Sequence, residues 1–142
     1  METDTSIYFY HNKNKFSFMS NFYICQFTDK YNIQYCCSEQ YFMYQKCKLF
    51  DPQNQQLLSA ILSCILPQQI KKYGRQVKNF DNIIWNKKKY KIMVKGLKLK
   101  FSQNDEIKQQ LLETQNKILY EASPYDKIWG YVTSIKKLSE NI

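Results

Sequence analysis

Glu39 and Lys46 are two ionisable residues that stand seven positions apart, with no other charged residue between them. Seven positions are two turns of an α-helix, so a helix would place both side chains on one face, with Phe42 and Met43 between them. Apolar neighbours favour a neutral lysine amine, which attacks the C1 aldehyde of an opened sugar, and a glutamate can move the protons. The alternative is a half-exposed helix in which Lys46 reaches solvent and Glu39 stabilises the N-terminus. Spacing alone favours this alternative.

Arg75 is the only arginine in a chain that otherwise uses lysine for its positive charges. Its guanidinium binds a phosphate or a carboxylate through two donors at once, which a lysine ammonium cannot do. The residue follows Lys71-Lys72-Tyr73-Gly74, a positively charged segment that a glycine closes. Arg75 is therefore interpreted either as a phosphate anchor or as one half of a structural salt bridge.

A third candidate site lies late in the chain, where Asp126 and Trp129 follow Ser123-Pro124-Tyr125 in a segment without clear periodicity. An indole beside a carboxylate suits a flat heterocycle, because the ring stacks on it and the acid accepts its hydrogen bonds. The alternative is a tryptophan of the core with an aspartate that caps a short helix.

Composition disfavours several other chemistries. His11 is the only histidine, and the five cysteines form no Cys-x-x-Cys pair, which argues against a metal cluster, a catalytic triad and a disulfide framework. We expect no cofactor, reduced thiols, and a cytoplasmic or nuclear protein without signal peptide or transmembrane segment. The net charge of +9 indicates an anionic partner. General lysine enrichment explains the same charge without a dedicated nucleic-acid surface.

The elements that must position these residues are predicted from apolar spacing and capping signals. Strands are predicted at Ile7 to Tyr10, Phe16 to Phe18, Phe22 to Phe27, Ile33 to Cys36 and Ile118 to Glu121. Helices are predicted from Glu39 to Phe50 after a Ser38 cap, from Asp51-Pro52 to Leu66, from Pro67 to Gly74, and after caps at Asp81 and Asn104. Ile84 and Leu112 are expected to face inward, and the helix after Asp81 to be the longest. The prediction is one mainly α domain over residues 1–142, with a small N-terminal β element.

Seven short motifs in this order closely resemble the NADAR/YbiA-like family over roughly residues 8 to 130. They are Ser20-Asn21-Phe22-Tyr23, Ser38-Glu39-Gln40-x-Phe42-Met43-x-x-Lys46, Gly74-Arg75-x-Val77, Trp85, Lys100-Phe101-x-Gln103-Asn104, Leu111-Leu112-x-Thr114 and Glu121-Ala122-Ser123-Pro124-x-Asp126-x-x-Trp129-Gly130. Family members usually continue after Trp-Gly with another glycine and a Gly-x-Asn-x-x-Leu-Gly segment, whereas Tyr131-Val132-Thr133-Ser134 follows here.

The resemblance implies a helical fold and metal-free hydrolysis of N-glycosidic bonds. It implies that Lys46 forms a Schiff base with the opened ribose, with Glu39 and Asp126 as further catalytic residues. It also implies a substrate site containing Ser20, Asn21, Phe22, Gln40, Arg75, Trp85, Trp129 and Gly130. The implied substrates are phosphorylated riboflavin-pathway intermediates or ADP-ribosylated guanine, free or in nucleic acid. The alternatives are a module that binds ADP-ribose without cleaving it and a basic nucleic-acid-binding protein, and no membrane partner is expected.

Overall fold

The structure, a computed structural model, describes residues 2–9 and 15–121, and this part of the chain is mainly helical. The helices are α1 (Ser38–Phe50), α2 (Gln55–Ser63), α3 (Pro67–Gly74), α4 (Asn82–Ser102) and α5 (Asp105–Leu112), and a short 3-10 helix covers Ser17–Met19. The strands are β1 (Ser6–Phe9), β2 (Phe27–Thr28), β3 (Gln34–Tyr35) and β4 (Ile118–Glu121). The predicted mainly α fold with a small β element is confirmed.

Two helix boundaries follow the sequence signals closely. The Asp81 carboxylate accepts hydrogen bonds from the backbone N–H groups of Ile83 (2.9 Å) and Ile84 (3.0 Å), so it caps α4, the longest of these helices, as predicted. Helix α3 has Pro67 in its first turn and ends at Gly74.

Two other helix starts differ from the prediction. The N-cap of α1 is Cys37 in extended conformation, not Ser38, whose hydroxyl instead donates to Asn21 Oδ1 (2.8 Å). Helix α2 begins after Asn54, which caps it by accepting from Leu57 N (3.1 Å), and not at Asp51-Pro52. The reason is that Asp51 still belongs to the end of α1, because its N–H donates to Cys47 O. Helix α2 also ends at Ser63, three residues before the predicted limit.

The strands are shorter than predicted. The segment from Phe16 to Phe18 is not a strand but enters the short 3-10 helix. The predicted hairpin keeps only β2 and β3, which pair antiparallel. Its turn is held by Asp29 Oδ1, which accepts from the backbone N–H groups of Tyr31 and Ile33, and Asn32 adopts a positive φ of 64°. Strand β4 is confirmed, and it pairs in parallel with β1, Ser6 opposite Ile118.

Helix α1 is the centre of the core and packs against α2, α3 and α4. Its contact with α4 is close at Gly96, where an added Cβ would lie 2.5 Å from Tyr41 Cδ1. Ile84 and Leu112 are 41% and 60% exposed, so their predicted burial is wrong: each lies in a terminal turn of its helix. None of the described helices is both long and apolar enough to span a membrane.

Candidate active site

Lys46 lies in the second half of α1 and its ammonium is held between two neighbouring segments. Nζ donates a hydrogen bond to Gly74 O (2.8 Å) at the end of α3 and lies 4.8 Å from the centre of the Phe80 ring. The side chain is half-buried, and this burial lowers the pKa of Lys46. The nearby Glu39 charge raises that pKa and the Arg75 charge lowers it further, but both effects are smaller than that of burial. Lys46 therefore has a larger fraction of neutral amine than an exposed lysine has, and the neutral amine is the form that attacks as a nucleophile.

Gly74 makes the contact with Lys46 possible. A Cβ at this position would overlap Met43 Sδ, so a larger residue would require the Met43 side chain to move. Glycine therefore leaves room for Met43 where α3 approaches α1.

Glu39 lies in the first turn of α1 and is 8% exposed. Its backbone N–H donates to Asn21 O (3.0 Å), which fixes the first turn against the loop from Ser20 to Phe22. A carboxylate at this end of a helix interacts favourably with the helix dipole. Because its charge acts on the Lys46 ammonium, the fold brings the two predicted catalytic groups into electrostatic range of each other.

The loop from Ser20 to Phe22 braces this end of α1. Ser20 Oγ accepts from Phe22 N (3.1 Å), and Asn21 Oδ1 accepts from the Ser38 hydroxyl. Ser20 is buried, while Asn21 and Phe22 are half-buried. Asn21 thus holds the first turn of α1 in place and Ser20 shapes the loop, while Asn21 and Phe22 keep part of their surface exposed.

Lys100 is a buried lysine that the sequence analysis named only as part of a motif. It is 0% exposed, and its Nζ donates to Ser20 O (3.0 Å) and lies near the rings of Tyr23 and Phe101. Burial lowers the pKa of Lys100 to about 8. The helical spacing Met93, Gly96, Leu97, Lys100 is a signal that places this lysine on the buried side of α4.

Gln40 and Trp85 have less access to a substrate than predicted. Gln40 is 2% exposed, and its amide joins the backbone before α1 to the end of α2: Oε1 accepts from Cys36 N, and Nε2 donates to Ile61 O and Cys64 O. Trp85 is 5% exposed and packs against Phe42, with ring centres 4.9 Å apart. Both side chains are in contact with protein atoms over nearly their whole surface.

Arg75 directly follows Gly74 and is exposed. Within residues 2–9 and 15–121 the ion pairs are Lys15–Glu2 and Lys117–Glu2, so the salt-bridge interpretation finds no partner for Arg75 in this part of the chain. In the same part, no group of three or more His, Cys, Asp or Glu is placed to hold a metal ion. The predicted residues Asp126, Trp129 and Gly130 lie outside the described residues.

The chain is similar to proteins of known name over most of its length. It is 40% identical over 137 residues to an N-glycosidase of Acanthamoeba polyphaga mimivirus, covering 92% of this chain and 79% of that protein. It is 36% identical over 100 residues to the protein irg-1 of Caenorhabditis elegans, covering 69% of this chain and 46% of that one. The chloroplastic riboflavin biosynthesis protein PYRR of Zea mays is 31% identical over 84 residues, which are 56% of this chain and 14% of that one.

The fold and the family model agree with these relatives. The NMR structure of the protein YbiA of E. coli superposes with a TM-score of 0.79 at 26% identity, covering 99% of this chain and 82% of that one. The sequence model described as "NADAR domain" matches residues 8–141. The chain therefore belongs to the NADAR domain family and is a hydrolase of the N-glycosidase type.

Proposed function

We propose that the protein cleaves the N-glycosidic bond of a phosphorylated ribose or of ADP-ribose, with Lys46 as the nucleophile and Glu39 as the group that moves protons. The observation that supports this most strongly is the pairing of a half-buried lysine, whose pKa is lowered, with a buried carboxylate in electrostatic range on the same helix. Such a pair is costly to bury in a protein that does not use it.

The reaction can be written with these two groups alone. Protonation of the ribose ring oxygen opens the ring and leaves an iminium between C1 and the base nitrogen. The Lys46 amine adds to C1, the base leaves with a proton, and a new imine joins C1 to Nζ. Water then adds to C1, and the imine is hydrolysed to the free sugar and the amine. Glu39 carries protons between the ring oxygen, the leaving base and the water.

Arg75 is the proposed phosphate anchor. It is exposed, stands one residue from the carbonyl that holds Lys46, and its charge reaches the lysine. A phosphate bound there would lie beside the nucleophile, as a ribosyl phosphate or the pyrophosphate of ADP-ribose requires. Among the residues outside the described part, Asp126 is proposed as the third catalytic group, and Trp129 with Gly130 as the surface on which the base stacks.

The proposed substrates fall into two groups. One is ADP-ribosylated guanine, free or in nucleic acid, and the other is the phosphoribosyl intermediates of the riboflavin pathway. The second group is kept because a maize relative carries a riboflavin-biosynthesis name, although the match is to a small part of that protein. Assaying purified protein on ADP-ribosyl-guanine DNA and on ribosylamino-pyrimidine phosphates separates the two groups.

Trapping the covalent adduct tests the mechanism. Borohydride added during turnover should reduce the imine and leave a sugar adduct on Lys46 that mass spectrometry locates. Lys46→Ala should abolish turnover, and Glu39→Gln should slow it by about 10²- to 10⁴-fold, the usual contribution of general acid–base catalysis. Lys48→Ala, an exposed lysine of the same helix, is the matched control and should keep full activity. Normal turnover by Lys46→Ala, or an adduct on another lysine, would exclude the mechanism. A folded but inactive Lys46→Ala that still binds substrate is consistent with it.

A further inference from the structure

Helix α4 carries seven lysines and no acidic residue. Four of them, Lys88, Lys91, Lys95 and Lys98, follow each other at intervals of three or four residues, so they form one stripe along the helix. All four are exposed. We call this stripe the lysine ridge. It lies on the side of α4 opposite the buried residues Met93 and Leu97.

No lysine of the ridge forms an ion pair within the part of the chain that the structure describes. Both ion pairs found there involve Glu2, and neither includes a ridge lysine. Like charges three or four residues apart destabilise a helix. The ridge is therefore a self-repelling surface that an anion would stabilise.

The C-terminal half of the lysine ridge borders a groove. Lys95 and Lys98 line it from α4, Lys108 from α5, and Lys117 from the residue just before β4. The groove has a volume of about 1300 Å³ and a partly apolar floor that includes Leu99. Asp4 also lines the groove, and Lys117 is ion-paired with Glu2, so the positive charge of the groove comes mainly from Lys95, Lys98 and Lys108. The groove has room for more than a single small ion.

We infer that the lysine ridge and this groove bind the phosphodiester backbone of a polynucleotide strand. Ten residues separate Lys88 from Lys98, which is about 15 Å along the helix axis. One small phosphate would contact one or two of these lysines, whereas a strand carries a fixed charge at every nucleotide and neutralises the whole row. Lysine ammonium groups act as point charges without a preferred base, so the contact is expected to be independent of sequence.

This surface is distinct from the proposed active site. Lys46 lies over Phe80, and Phe80 packs against Trp85 in the first turn of α4. The ridge begins one turn later, at Lys88. Binding of the strand does not depend on the proposed function.

Fluorescence anisotropy with a labelled, unmodified 20-nucleotide DNA strand tests this inference. Four phosphate contacts predict a slope of about −3 when the logarithm of the binding constant is plotted against the logarithm of salt concentration. Lys91→Gln combined with Lys98→Gln should reduce that slope to about −1.5 and weaken binding at least about tenfold at 50 mM salt. The matched control, Lys30→Gln with Lys48→Gln, removes the same charge from exposed lysines elsewhere and should keep the slope.

Three outcomes would overturn the inference. The first is equal weakening in both double variants, which would mean that only net charge matters. The second is absence of strand binding by the unmodified protein. The third is ridge-dependent binding to vesicles of anionic phospholipid without strand binding. Thermal unfolding of the ridge variant should show an unchanged or slightly higher Tm, because repulsion is removed. Lys46→Ala should still bind the strand, so failure of the proposed catalytic mechanism and failure of this inference are distinguishable.

Discussion

Lys100→Met tests whether a charged lysine is held in the core. The substitution keeps an unbranched chain of similar length but removes the ammonium that donates to Ser20 O. Lys100 has a pKa of about 8 in the folded protein, against an ordinary value of 10.5. Below pH 8 the amine is protonated in both states, and the folded state bears the full cost of burying the charge. Between these two values the unfolded chain keeps the proton that the folded protein has lost, so stability rises with pH.

The size of this effect follows from the two pKa values, because a difference of one pKa unit between the folded and unfolded states corresponds to about 1.4 kcal/mol. The contribution of Lys100 to the free energy of unfolding should rise by about 2 kcal/mol from pH 7 to pH 9.5, and by about 3 kcal/mol up to pH 10.5. Tyrosines and cysteines also titrate in this range. The relevant quantity is therefore the difference in stability between the unmodified protein and Lys100→Met, in which the other groups cancel.

The assay is urea unfolding of both proteins under reducing conditions at pH 7, 8.5 and 9.5. We expect the unmodified protein to gain about 2 kcal/mol on the variant across this range. Lys98→Met is the matched control, since it removes an exposed ammonium two positions earlier on the same helix. Its difference from the unmodified protein should stay constant with pH. Parallel pH dependences for Lys100→Met and the unmodified protein would show that Lys100 does not carry the cost of a buried charge.

Three further substitutions give separate tests. Arg75→Lys should raise KM by about 5- to 150-fold with Tm nearly unchanged, since a bidentate phosphate contact is lost, and an equal loss of Tm would favour a structural role. Gln40→Leu should lower the free energy of unfolding by at least about 2 kcal/mol in urea titration, because Cys36 N–H and the carbonyls of Ile61 and Cys64 lose their partner. A neutral effect would contradict the observed hydrogen bonds. Asp81→Ala should cost about 1 kcal/mol, while Asp81→Asn, which retains a capping oxygen, should cost less.

Local signals in the sequence predicted the helices well where the cap and the helix are contiguous. Asp81 and Gly74 are examples, because a capping carboxylate or a terminal glycine acts within a few residues. Ser38 failed as a cap because its hydroxyl binds Asn21, a residue 17 positions earlier, and no local pattern reports such a partner. The short 3-10 helix after Phe16 was missed because aromatic residues are typical of strands, so the local pattern itself favoured a strand.

The candidate site shows the same division. The pairing of Glu39 with Lys46 on one helix face follows from their spacing, and the direction in which burial moves the pKa of Lys46 agrees with its apolar neighbours. The contact of Lys46 with Gly74 joins residues 28 positions apart, and it depends on the packing of α3 on α1. Gln40 stands in a predicted site motif, but its amide hydrogen-bonds the backbone at the end of α2, more than 20 positions later in the chain. The motif gives no sign of this contact.

The parallel pairing of β1 with β4 has a consequence for the order of folding. The two strands are about 110 residues apart in the chain, and synthesis at roughly 5–20 residues per second leaves β1 without its partner for about 5–20 s. During that time Ile7 and Phe9, which are buried in the finished protein, remain without the strand that later pairs with them. The helices make contacts that are closer in sequence, and such contacts form faster than distant ones. We therefore expect α1 to α4 to assemble first and the β1–β4 ladder to close last, so that hydrogen exchange during refolding would protect Leu58 and Met93 before Ile7.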